Sequence, residues 1–350
     1  MATLCNRPML VPFSDVGRAA EDQMKENRMK QYRARREALT FFLLIFVFAG
    51  ITTARAQDES AGPTVTVRMT VTASGLSDGR VSDVSRNDVV VRQRRDTLRV
   101  TKWEPARGAA AGLDLFILID DASDSSLGSQ LNDLRAFINA QPPSTSIGVG
   151  YMRNATTQIA QNFTTDHALA ANALRLPLRN AGAFGSPYLS ASNLMNRWPQ
   201  HANRRALVLV TDGIDRARRT TRSPGLNTIP DATSTATVAQ RTGTIIYGLY
   251  TPGVGHLQRN FWEATNGQNA IARLADQTGG EAFFLGLRAP VSFRPFLDRL
   301  QNNLDNQYLL EFGARPDRRA GLRSFSISTE LAGVELLSAD SGWVPAAGER

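Results

Sequence analysis

Thiols are almost absent from this chain. Its single cysteine, Cys5, sits in an N-terminal segment expected to be removed, so the remaining protein has no disulfide and no cysteine nucleophile. Histidine is nearly as scarce: the three present, His167, His201 and His256, flank no Gly-x-Ser-x-Gly or His-Glu-x-x-His pattern. They read as surface residues, no general base stands out, and an enzymatic function is not expected. Beyond residue 56 the only lysine is Lys102, and the arginines are interleaved with acids and apolar residues, which argues against a nucleic-acid surface. Long apolar runs are missing too. The longest, about residues 38–51, falls short of the roughly 20 residues that span a bilayer.

That short run gains meaning from its setting. Arg33, Arg35 and Arg36 precede it and Ala54-Arg55-Ala56 follows, the layout of a secretory signal cleaved after Ala56. Export to the periplasm or the extracellular space is expected; a signal left uncleaved would instead anchor the protein in the inner membrane. The charged stretch before the run is long for a signal, so a start at Met24 or Met29 is an alternative. Nine of the 40 basic and five of the 32 acidic residues precede Gln57, so cleavage lowers the net charge from +8 to +4.

The remaining chain divides by its patterning. Val65, Val67, Met69 and Val71 alternate with polar residues, and further strands are expected at 88–92 and 98–103, making 57–107 a small β unit. From 112 to 306 apolar strands alternate with amphipathic helices, which predicts a doubly wound, mostly parallel α/β sheet covered on both faces. Strands are placed near 113–119, 146–152, 156–162, 205–210, 244–250 and 281–285, and helices near 128–140, 166–175, 188–197, 231–241, 268–278 and 292–306. Residues 251–267 read as a polar insertion in which Phe261 and Trp262 form either a binding rim or a core anchor. After 306 the β pattern returns, and 307–350 is expected to pack with 57–107 as one flanking β-sandwich. In a rival arrangement each flank docks separately.

The chemistry concentrates where two apolar strands end. Leu113 to Ile119 runs into Asp121-Ala122-Ser123-Asp124-Ser125, and Ala206 to Val210 runs into Thr211-Asp212-Gly213. Carboxylate and hydroxyl oxygens delivered to one sheet edge suit a hard cation such as Mg²⁺. The pairing resembles the metal-ion-dependent adhesion site of von Willebrand factor type A domains: Asp121, Ser123 and Ser125 match its Asp-x-Ser-x-Ser, and Asp212 its Thr-Asp-Gly. The signal segment, the short β unit, the A-type region and the run Leu300-Gln301-Asn302-Asn303-Leu304-Asp305-Asn306-Gln307-Tyr308 together make the chain similar to the von Willebrand A-related proteins of acidobacteria.

The resemblance implies a third loop with a threonine after a glycine, for which Gly185-Ser186 is the counterpart, giving Asp121, Ser123, Ser125, Ser186 and Asp212 as ligands of Mg²⁺, Mn²⁺ or Ca²⁺. It implies an adhesion module whose ion binds an Asp or Glu of a partner protein. Arg216, Arg218, Arg219 and Arg222 follow Asp212 on the same expected loop, where they can meet further acids of that partner. Two departures stand out: Asp124 replaces the usual glycine and Ser186 the usual threonine. A second reading is therefore a metal-free scaffold in a cell-envelope assembly.

Overall fold

The computed structural model describes residues 64–75, 83–182, 185–200, 203–217, 232–254 and 261–347; the expected signal segment lies outside them. Four strands come first: β1 (Val65–Gly75), β2 (Val89–Gln93), β3 (Asp96–Leu98) and β4 (Val100–Pro105). The α/β region follows as β5 (Leu113–Asp120), α1 (Leu131–Asn139), β6 (Thr145–Arg153), β7 (Thr156–Thr164), α2 (His167–Asn172), α3 (Pro187–Asn196), β8 (Arg204–Thr211), α4 (Ala232–Thr242), β9 (Thr244–Tyr250), α5 (Phe261–Gln277), β10 (Ala282–Phe283) and α6 (Arg294–Asp305). The chain closes with β11 (Gln307–Ala314), β12 (Gly321–Ser324), β13 (Ser326–Thr329), β14 (Val334–Ser338) and β15 (Ser341–Val344).

The α/β sheet runs β10-β9-β8-β5-β6-β7, all parallel except edge strand β7. Every residue of β5, β8 and β9 is buried, as continuous apolar runs in a sheet covered on both faces require. Each Leu, Ile or Val buried this way contributes about 1.5–3 kcal/mol. On one face Phe116, Leu118, Leu207 and Leu209 pack under α3, α4 and the Leu274 end of α5. On the other side α1 packs with α2 and α6. The reversal into β7 is a two-residue turn, Asn154-Ala155, with both φ angles positive (51° and 56°), the twist that a tight hairpin needs.

Two elements depart from the sequence expectation. Helix α5 begins at Phe261, inside the stretch read as a polar insertion, and its first-turn aromatics Phe261 and Trp262 are 61% and 71% exposed, so they anchor no core. The helix expected over 166–175 stops at Asn172, after which residues 173–182 cross the sheet end as an extended strap.

The two flanks share one core. Strand β1 lies between β11 and β14 in the sheet β14-β1-β11-β4, and β13 pairs with β2 in the sheet β13-β2-β3. Val67, Val71, Val91 and Leu98 from the first flank are buried against Leu310, Phe312, Phe325 and Leu336 from the second. Trp103 stacks on Tyr308, centroids 4.5 Å apart. No linker separates the halves: α6 ends at Asp305 and β11 starts at Gln307. Arg204, buried at the amino end of β8, donates to Leu304 O (3.1 Å), Ala111 O (3.0 Å) and the Gln307 side chain. Gln307 in turn donates to Tyr247 Oη at 3.2 Å, and burial pushes the Tyr247 phenol up, so it stays neutral. Tyr247→Phe is expected to cost about 1 kcal/mol, a fall of roughly 3 °C in the melting temperature measured by circular dichroism. An unchanged value would mean that Gln307 gains nothing from this contact.

Candidate functional site at the carboxyl edge of the sheet

Strand order reverses between β5 and β8, with β6 reached on one side and β9 on the other, and ligand sites of such sheets form beyond the carboxyl ends of the strands there. The loops that meet at this edge are 121–130 after β5, the strap 173–182, Gly185-Ser186 ahead of α3, 212–217 after β8, and 251–254 after β9.

Side chains along a strand alternate between faces, so Asp120 follows Phe116 and Leu118 while Asp121 follows Ile117 and Ile119. Asp120 therefore stands on the side of its register neighbour Thr211. Its Oδ2 accepts from Thr211 Oγ1 (2.9 Å) and its Oδ1 from Ala122 N (2.9 Å). Asp121, fully buried, accepts from both terminal nitrogens of Arg175 (2.7 and 3.0 Å) and from Leu178 N (3.1 Å). The Arg175 guanidinium also lies over the Tyr151 ring, 3.6 Å from its centroid, and its hydrogen bonding to Asp121 raises its pKa above the ordinary arginine value.

Asp212 has its own arginine. Its Oδ1 accepts from Ile214 N (3.0 Å) and its Oδ2 from Arg216 Nη2 (2.6 Å), while Arg216 Nη1 lies 3.6 Å from Asp120 Oδ2. Burial works against the Arg216 charge, yet the attraction of Asp212 and Asp120 prevails and raises its pKa. Burial likewise pushes the Asp120 carboxyl up; Arg216 opposes this and Asp212 adds to it.

The hydroxyls have separate places. Ser123 is buried, forms an isolated bridge with Gly253, and its Oγ has no hydrogen-bond partner among the described residues. Ser125 is exposed and opens a 3₁₀ turn, Ser125–Ser129, capped by Asp124, whose side chain accepts from Ser126 N (3.0 Å). Ser186 caps α3, its Oγ accepting from Leu189 N at 3.3 Å, with Pro187 at the first helical position. Arg218, Arg219 and Arg222 lie outside the described residues.

The expected ligands are thus brought to one edge, but Asp121 and Asp212 turn to different arginines. This arrangement does not fit a divalent ion shared by the two: Asp121 is closed by a bidentate arginine, and beside Asp212 stands the cationic Arg216. Among the described residues no three His, Cys, Asp or Glu side chains are grouped to hold a metal. Asp120 and Arg175 were missed by sequence reasoning. Strand alternation opposite Thr211 is the signal for Asp120; nothing local marks Arg175, 54 residues from its partner.

No known sequence family matches the chain, and no curated protein does. Solved structures do. An aerotolerance-related membrane protein from Bacteroides fragilis is 13% identical, with a TM-score of 0.39, over 55% of this chain and 99% of that one. The hypothetical protein BatB from Bacteroides thetaiotaomicron is 14% identical, with a TM-score of 0.35, over 55% of this chain and 97% of that one. The SpRpn10 VWA domain is 13% identical, with a TM-score of 0.30, over 51% of this chain and 96% of that one.

Proposed function

We propose that the α/β region is a von Willebrand factor type A-like domain in an exported, non-catalytic protein-interaction module, and that it meets its partner with the carboxyl edge of the sheet. One observation carries the reading. The strap 173–182 holds Leu176 and Leu178 about half exposed (53% and 51%) on backbone that is tied down at several points. Arg175 N donates to Tyr151 Oη (2.6 Å), Leu178 N and Asn180 N donate to Asp121, and Asn154 N donates to Ala181 O (2.9 Å). Apolar side chains held in place yet left in water add little to folding, whereas a prearranged apolar pair loses little entropy on binding. Arg179, exposed beside them, favours a partner carrying acids around an apolar patch.

A non-catalytic role is supported by the position of the described histidine. His167 starts α2 and its Nε2 lies 2.9 Å from Thr145 O, at the amino end of β6, away from this edge. Export rests on the apolar run at 38–51 with its flanking arginines and small residues. Among the described residues no helix is long and apolar enough to cross a membrane. N-terminal sequencing of the exported protein should begin at Gln57; a chain still carrying residue 38 onward would put it on the anchored branch.

The interaction is tested by retention of envelope proteins from the producing cells on the immobilised chain. The double variant Leu176→Ser/Leu178→Ser is expected to melt at an unchanged temperature and to bind the retained partner at least roughly tenfold more weakly, since the loss of two buried leucine side chains costs about 3 kcal/mol or more. Trp262→Ser, on α5, should bind as the parent does. Equal binding by the strap variant would remove the edge from consideration.

A further inference from the structure

We propose that Arg216 is a built-in cation, standing where the loops of this edge would otherwise share a divalent ion, so that the edge keeps its shape and charge balance without metal. The inference concerns the same edge as the interaction surface but does not depend on partner binding.

Three loops close around the arginine. Gly185 O accepts from Arg216 N (2.7 Å) and from Ala217 N (2.8 Å), which ties the residue ahead of Ser186 to the loop after β8. Gly253, bridged to Ser123, lies against the ion pair so closely that a Cβ there would collide with Asp212 Oδ2 and Arg216 Nη2. A Cβ on Gly185 would likewise press on the Arg216 stem and collide with Ala181. The stretches that carry Ser123, Ser186 and Asp212 thus converge on one guanidinium, whose side chain is only 20% exposed.

The chemistry is that of a substitution. Two carboxylates, Asp120 and Asp212, are 4% and 2% exposed, and one positive group lies within 3.6 Å of the first and 2.6 Å of the second. A guanidinium never loses its charge, offers several donors in a plane, and here also donates to Ile214 O (3.3 Å). It comes from the same loop as Asp212, four residues on, so forming the pair requires no long-range closure. A divalent ion entering beside these carboxylates would have to expel the arginine or sit against it, and either leaves a charge uncompensated in a water-poor site. On the opposite face of β5, Arg175 does the same for Asp121, so neither aspartate is available.

The test uses the full chain, stripped with a chelator and titrated with Mn²⁺ and separately with Mg²⁺, followed by calorimetry and thermal unfolding. The parent should show no saturable heat and no shift in melting temperature. Arg216→Gln should melt roughly 10 °C lower, as breaking a buried pair in a domain of this size does, and should regain part of the loss in Mn²⁺. That recovery should vanish in Arg216→Gln/Asp212→Asn. Arg216→Lys keeps the charge and should stay indifferent to Mn²⁺; it also serves, with the parent, if the glutamine variant does not fold. Saturable uptake of Mn²⁺ by the parent, abolished by Asp212→Asn, would overturn the inference and leave the strap reading standing. So would an Arg216→Gln chain that melts with the parent in chelator.

Discussion

Arg175→Ala should lower the melting temperature by roughly 6 °C, the consequence of losing about 2 kcal/mol when the fully buried Asp121 carboxylate is left without its arginine, a partner 39% exposed and so partly screened by water. Asp121 has no exposure, and without Arg175 its carboxylate keeps only the Leu178 N–H among the side-chain hydrogen bonds described above. The substitution also removes the guanidinium from the Tyr151 ring and the donor to Leu176 O at 2.9 Å, so the strap 173–182 loses its main fastening. Amide hydrogen exchange should therefore speed up at Leu178 and Asn180 while the β5 amides stay protected. Arg175→Lys retains a charge but not the two-pronged geometry, and an intermediate loss is expected. If thermal unfolding by circular dichroism showed Arg175→Ala unchanged, the ion pair would not be holding the edge.

Ending the chain after Asn306 is expected to have the larger structural effect. Strand β1 would lose β11 along Val65–Thr72 and β14 along Val71–Gly75, and β2 would lose β13. Val67, Val71 and Val91, now covered by Leu310, Phe312 and Phe325, would face water. Arg204 would also be left without the Gln307 side chain. Limited proteolysis should cut within residues 64–106 of the truncated chain and spare 113–305, whereas the full chain resists in both regions. Protection of 64–106 in the shortened protein would show that the first flank has a core of its own.

How much of this is legible in the amino-acid sequence depends on how local each signal is. Runs such as Leu113 to Ile119 and Ala206 to Val210 leave little choice but a buried strand, and the helices between them carry their own apolar spacing. The start of α5 escaped because Phe261 and Trp262 point outward, so the apolar spacing that marks a helix begins only with Ile271 and Leu274. At the site, the edge and its loops could be named from the strand ends. Which aspartate faces Asp212 could not be read from a motif, because Asp120 and Asp121 are neighbours and only the alternation beneath them separates their faces. Arginine partners are less legible still: Arg216 is close to Asp212 in the chain, but the side chain could equally have pointed to water, and Arg175 reaches Asp121 only after the strand order is in place.

The sandwich has a consequence for synthesis. Ribosomes deliver the amino terminus first, and β1 finds its neighbours only in residues 307–338, more than two hundred positions later. The α/β region can fold while Val67 and Val71 remain uncovered, an unpaired strand edge open to self-association. A nascent chain of this design benefits from a holding chaperone until residues 307–338 emerge, and stalling near codon 306 should leave β1 unpaired beside a folded α/β region, more prone to self-association than the full chain.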